Sequence, residues 1–167
     1  MQYYKVLSAD YTHHNYTYQL GRNEMDNRAN FNNNYCENGL HFCELKDLGE
    51  WYNYGINIAY VSIPDDANVA RFNKKNKADV INIDKIVTFE DFFKNIDVKL
   101  IDNAWVFIQY IADPTDEMKF AAINNDGYAI NYIKNPTDEM KFAAINKNSY
   151  AIQYIADPTD EMKFTAI

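Results

Sequence analysis

The chain has 167 residues, 47% of them hydrophobic, with a formal net charge of −8 and a pI near 4.8. That is enough apolar material for one ordinary core, or for a small domain with a short array, and no stretch approaches the roughly 20 apolar residues that cross a bilayer. Such acidity disfavours direct binding to a phosphate backbone, which needs a positive patch, but suits the basic surface of a nucleic-acid-binding protein.

In chain order, the start MQYYKVLSAD has no basic region followed by an apolar run, so no secretory signal is expected and the reading is cytoplasmic. Gln2 to Ser8 reads as a strand, and Tyr16 to Gly21 as its partner. Gly39 to Leu45 alternates apolar and polar residues as a third strand. Glu44 to Gly55 suits a short helix that ends with Gly55 as a left-handed C-cap. Asn57 to Pro64 and Asp79 to Val87 are the clearest strands, with PDDAN and NKKNK between them as turns or loops. Residues 1–87 are therefore expected to form a small α+β head, mostly antiparallel sheet with a short helix.

At Thr88 the period changes. TFED predicts a helix with Thr88 as N-cap and Asp91 three residues on. Beyond it one block is written almost three times: Ile111 to Ile123, Ile133 to Ile145 and Ile155 to Ile167, with Pro114, Pro136 and Pro158 spaced by 22 residues. A fixed period of this kind marks a stacked array whose units bury their apolar sides on one another. Residues 88–167 are read as a short α-helical array of one diverged unit (Phe89 to Tyr110), two regular units and one half unit.

Each regular unit is expected to hold two short helices. Asp113, Asn135 and Asp157 are read as N-caps, each followed by a proline at the first helical position, where its missing donor costs nothing. Asp116 and Glu117 then place negative charge in the first turn. Met118, Ala121 and Ala122 make an i, i+3, i+4 apolar stripe, so Met118, Met140, Ala122 and Ala144 are expected between units. After turns at NNDG and NKNS, second helices are predicted over residues 128–133 and 150–155.

The chemistry-bearing residues are few. Cys36, His41 and Cys43 with His13 or His14 would supply four zinc ligands, yet no C-x2-C knuckle or H-x3-5-H pair is present, and free thiols are the simpler reading. A Cys–His nucleophile pair lacks a third group to orient the base. With five glycines in the chain there is no phosphate-cradling loop, and the repeated D-P-T-D-E is explained by capping, not by a calcium loop. No metal and no cofactor are expected. Aromatic rows are the stronger signal. Tyr110, Tyr132 and Tyr154 recur at the period, placed between core and surface, whereas the row of Tyr128 and Tyr150 is expected in the inter-repeat core. Tyrosine is enriched at binding surfaces. Glu117, Glu139 and Glu161, which capping does not consume, are the acidic candidates beside a bland reading as a solvated face.

The order K-V-L, H-H, G-L-H-F and K-A-D-x-I, within about residues 3–87, resembles a small leading domain found in many phage proteins and in front of giant-virus ankyrin arrays. That resemblance implies viral or mobile-element ancestry more than an activity, as does a composition rich in Asn, Lys, Ile, Tyr and Phe, whose codons are AT-rich. The repeats are similar to two-helix units of the N-P-T/S-E-E type, and the ankyrin T-P-L-H-x-A pattern is missing. The functional expectation is a non-enzymatic protein-binding module of viral or prophage origin, in its most specific form an acidic inhibitor of a host defence nuclease. Its partner would be a host protein with a basic surface, with no direct nucleic acid and no membrane. The alternative is an ADP-ribosyltransferase-like enzyme, because the GLHF strand is similar to the glycine-led strand of those folds. Tyr4, His13, His14 and His41 would be its first residues to test, although no E-x-E pair follows the later strands.

Overall fold

A computed structural model of the chain describes residues 1–14, 16–25, 39–96 and 100–167. It divides into two compact units, one of Met1–Asn95 with Leu100–Asp102 and one chiefly of Asn103–Ile167. The architecture is α+β, with antiparallel sheets in the first unit and helices in the second.

The head is built around β1 (Tyr3–Leu7), whose five residues are all buried because both of its faces are covered. Its hydrogen-bonded partner is β6 (Asn57–Ser62), with Tyr3 opposite Val61. The segment expected to pair with β1 instead makes a tight ribbon, β2 (Thr12–His13) against β3 (Tyr16–Thr17). A four-stranded sheet runs β1-β6-β9-β4, with β4 at Gly21–Glu24 and β9 at Val80–Thr88. A second sheet runs β5-β8-β7, with β5 at Leu40–Phe42, β7 at Val69–Phe72 and β8 at Lys75–Ala78. Much of NKKNK is thus strand, not loop: Asn76 and Lys77 are 5% and 0% exposed, and Lys77 lies 5.6 Å from the ring centre of Phe72. A bridge between Tyr4 and Cys43 ties the end of β5 to the outer edge of β1.

Alternation along β1 sends Tyr3 and Tyr4 to opposite faces. Tyr3 meets Phe42 edge-on at 5.0 Å, and Tyr4 meets Phe92 at 5.5 Å. Phe92 lies on α1 (Phe89–Phe93), which begins as the sequence predicts, with Thr88 Oγ1 accepting from the Asp91 amide. Because Phe92 and Phe93 are buried in the head, α1 covers the sheet rather than opening the array. Of the diverged first unit, the described element in the second compact unit is a 3-10 helix over Ala104–Tyr110. The helix expected near Gly55 is a 3-10 helix over Leu45–Tyr54. Gly55 itself is extended, with φ 163, not left-handed. It is glycine because a Cβ there would sit 1.8 Å from the Leu7 carbonyl oxygen.

In the second unit, α2 (Asp116–Asn125), α3 (Asp138–Lys147) and α4 (Asp160–Thr165) alternate with 3-10 helices at Gly127–Tyr132 and Ser149–Tyr154. The caps fall two residues later than expected. Thr115, Thr137 and Thr159 accept from the amides of Met118, Met140 and Met162, so each proline precedes its cap. Asn135 and Asp157 take the left-handed conformation instead, at φ 51 and 50, which their short polar side chains tolerate better than most. Ile123, Ala129, Met140, Ala144 and Met162 form the core between units, and Met118 packs partly buried against it.

Candidate functional site

Two features of the described residues invite function, one in each unit. In the head, β1 supplies Tyr4, Lys5 and Val6, β2 supplies His13, and β5 with the residue after it supplies His41, Phe42 and Cys43. Trp51 and Tyr54 come from the 3-10 helix and Lys75 from β8. These residues line a pocket of about 410 Å3, open solvent at its mouth included.

Lys5 organises this pocket. It is 4% exposed, and its ammonium donates to the His41 carbonyl at 3.1 Å. It lies 3.0 Å from His13 Nδ1 and 4.6 Å from the ring centre of Tyr18. The ribbon that presents His13 is anchored by Ser8, whose hydroxyl donates to Asp10 at 2.6 Å and accepts from the Thr12 amide at 2.9 Å. These bonds to Ser8 and Thr12 hold the Asp10 carboxyl below the usual carboxylate range.

Burial, with Lys5 and His14 nearby, pushes the His13 imidazole down to about 3. Burial and the cations Lys5, Lys77 and Lys75 do the same to His41. Both rings are therefore neutral at physiological pH. Their Nε2 atoms are buried and have no hydrogen-bond partner among the described residues. His14 stacks on His13 at 4.2 Å, and Tyr54 meets the same His13 ring edge-on at 5.0 Å. Trp51 is held by its indole N–H, which donates to the Lys74 carbonyl at 3.1 Å.

The structure thus brings together Tyr4, His13, His14 and His41, which the sequence suggests only by resemblance. Lys5, Lys75, Trp51 and Tyr54 were missed, since they lie on three elements far apart in the sequence, with no spacing to link them. No group of three or more His, Cys, Asp or Glu able to hold a metal occurs among the described residues. Cys43 is a free buried thiol pushed up by its burial. Cys36, and with it the zinc quartet, lies outside the described residues.

In the array, Tyr110, Tyr132 and Tyr154 are 37%, 38% and 43% exposed. Each of the last two is propped by an aromatic of the preceding unit: Trp105 lies 6.2 Å from Tyr132, and Tyr128 meets Tyr154 edge-on at 5.6 Å. Tyr128 is partly buried against Tyr154, but Tyr150, expected in the core, is 72% exposed. Glu117, Glu139 and Glu161 are exposed. Their neighbours Asp116, Asp138 and Asp160 pair with lysines three residues on at 2.7–2.9 Å.

The head is a small antiparallel α+β domain at the front of the chain. The chain belongs to DUF7666, a domain family of unknown function whose model matches residues 1–95. That match ends where the continuous stretch of the head ends, at Asn95. No curated protein and no solved structure matches the chain.

Proposed function

We propose that the chain is a protein-interaction module of viral or prophage origin whose helical array presents tyrosines and acids to a basic host protein. In its most specific form it is an acidic inhibitor of a host defence nuclease. The observation that carries this reading is the repetition of one half-exposed tyrosine per unit at 37–43% exposure, with an aromatic ring behind Tyr132 and behind Tyr154. A propped ring loses little conformational freedom on binding, which is what makes tyrosine effective at interfaces. One exposed glutamate per helix adds negative charge to the surface of the array.

An ADP-ribosyl transfer reading is less supported. Its positively charged, oxocarbenium-like transition state calls for a carboxylate, and none of the described residues lining the head pocket carries one.

The test is affinity capture from host extract with the wild-type chain, Tyr132→Ala/Tyr154→Ala, and the triple reversal Glu117→Lys/Glu139→Lys/Glu161→Lys. The expected result is a basic partner retained by the wild type, lost by both variants, and released as salt approaches about 1 M, where the screening length shrinks to about 3 Å. A partner held equally by all three proteins would sink the proposal. If the partner is a nuclease, the wild-type chain will slow its cleavage and the triple variant will not.

A further inference from the structure

We infer that the tyrosine row of the array takes an extended proline-rich segment of its partner, in the polyproline II conformation, with a lysine or arginine at every third position. This deepens the protein-binding reading of the array and rests on it. The argument starts from the sameness of the units. Tyr110, Tyr132 and Tyr154 recur at 22 residues with nearly equal exposure, 37%, 38% and 43%. The caps recur as well, with Thr137 and Thr159 accepting from Met140 and Met162 at 3.2 Å in both units. A surface that repeats one set of groups along a line fits a partner that also repeats along a line.

The step between units sets the period of that partner. Helix α2 packs on α3, and α3 on α4. Packed helices stand about 8–10 Å apart, so successive tyrosines are separated by about that much. A polyproline II helix completes a turn in about three residues and rises about 9 Å in doing so. Every third side chain therefore returns to one side in step with the units. A β-strand does not match, because residues on one of its faces recur at about 7 Å or about 13 Å.

Chemistry separates this occupant from an α-helix, whose side chains return to one face at about 10 Å, every seventh residue. A docked helix keeps its backbone bonds internal and lays an apolar face into an apolar groove. Here the row is made of phenols, with Trp105 behind Tyr132 and Tyr128 behind Tyr154. Exposed Asn131 and Gln153 precede these two tyrosines in the chain. Rings with polar tips pack on proline, and hydroxyl and amide groups donate to the carbonyls that polyproline II leaves unpaired. The basic residue follows from charge. Glu139 and Glu161 are exposed, one per unit, on a chain of net charge −8, and a cation is also attracted to a tyrosine face.

Fluorescence anisotropy of labelled peptides titrated with the full chain tests this at low salt, where charge is least screened. One probe is four Lys-Pro-Pro triplets in series, and a second is its block isomer, four lysines followed by eight prolines. A third carries glutamate for each lysine, and a fourth is an alanine-based helix with lysines one heptad apart. The triplet peptide is expected to bind, the block isomer about tenfold or more weaker, and the glutamate peptide not at all. Tyr132→Ala/Tyr154→Ala, with a far-ultraviolet spectrum equal to that of the wild type, will weaken the triplet peptide by about tenfold or more. No binding of the triplet peptide at about 1 mM, a weak affinity for any peptide, would overturn the inference. So would equal binding of the block isomer or of the helix, or unchanged affinity in the tyrosine variant. If the triplet peptide fails while a basic partner is still captured from host extract, the partner docks by a folded surface and only this inference falls. If both fail, the protein-binding reading falls with it.

Discussion

Lys5 shows how one residue can set the electrostatics of a small domain. Its buried ammonium is satisfied by a ring nitrogen, a carbonyl and an aromatic face, and its charge helps to keep His13 and His41 near 3, far below the ordinary 6.5. Between those values the unfolded chain binds more protons than the folded one. This contribution to stability is therefore full above the unfolded value and drains as pH falls toward the folded one. Acid unfolding followed by circular dichroism is expected to begin below about pH 6, ahead of most carboxylates. His13→Gln/His41→Gln will flatten the loss between about pH 6 and pH 4.5, and an unchanged slope would show that the rings are protonated in the folded state. Gly55 is a second decisive residue. A Cβ there would lie 1.8 Å from the Leu7 oxygen and 2.1 Å from its carbon, both backbone. Gly55→Ala will cost about 3 kcal/mol or more in urea unfolding, because two backbone segments must separate. Both residues were visible in the sequence, but Lys5 looked like any strand lysine and Gly55 was given a conformational role that the close approach of Leu7 makes unnecessary.

At the scale of elements, the array is held by a cap, an ion pair and a packed methionine in each long helix. Thr137 Oγ1 accepts from the Met140 amide at 3.2 Å, and Thr137→Ala will cost about 1 kcal/mol. Met140 is 1% exposed, and its truncation to alanine will cost about 2–5 kcal/mol, measured by denaturant unfolding. A loss under about 0.5 kcal/mol would mean that the site collapses or faces water. The repeats, their period and their buried stripe were legible because they rest on local spacing. The cap position was not, since D-P-T holds two residues able to cap and only the backbone path decides between them. The β7–β8 hairpin was missed for a different reason. Its strand residues Lys75 to Lys77 are polar, and Asn76 and Lys77 are buried by tertiary contacts that no alternation of hydrophobicity signals.

For the whole molecule, an acidic net charge does not make every surface acidic. The net −8 is spread over the chain, yet the head pocket is lined by lysines and neutral imidazoles, whereas the array exposes an acid in each helix. The triple reversal of Glu117, Glu139 and Glu161 adds six charges, taking the formal net charge from −8 to −2. These residues sit in the first turns of α2, α3 and α4 and are exposed. Through the helix dipole, the reversal is expected to cost about 0.3–1 kcal/mol per helix. Its far-ultraviolet spectrum should remain that of the wild type, so any loss of binding reports on the surface and not on folding. Among the described residues no helix is long and apolar enough to cross a membrane.

The sequence alone determined the α+β class, the repeat period, the helix start at Thr88, the strands β1, β5, β6 and β9 and the candidate tyrosine row. Each of these follows from patterns within a few residues or from literal duplication. Only the tertiary structure decided that α1 belongs to the head, that β6 rather than the following segment pairs with β1, and that Tyr150 is exposed while Lys77 is buried. It alone assembled Lys5, His13, His41, Trp51 and Lys75 into one pocket. Those residues are brought together by hydrogen bonds between distant strands, and a pairing across dozens of residues leaves no mark in local spacing.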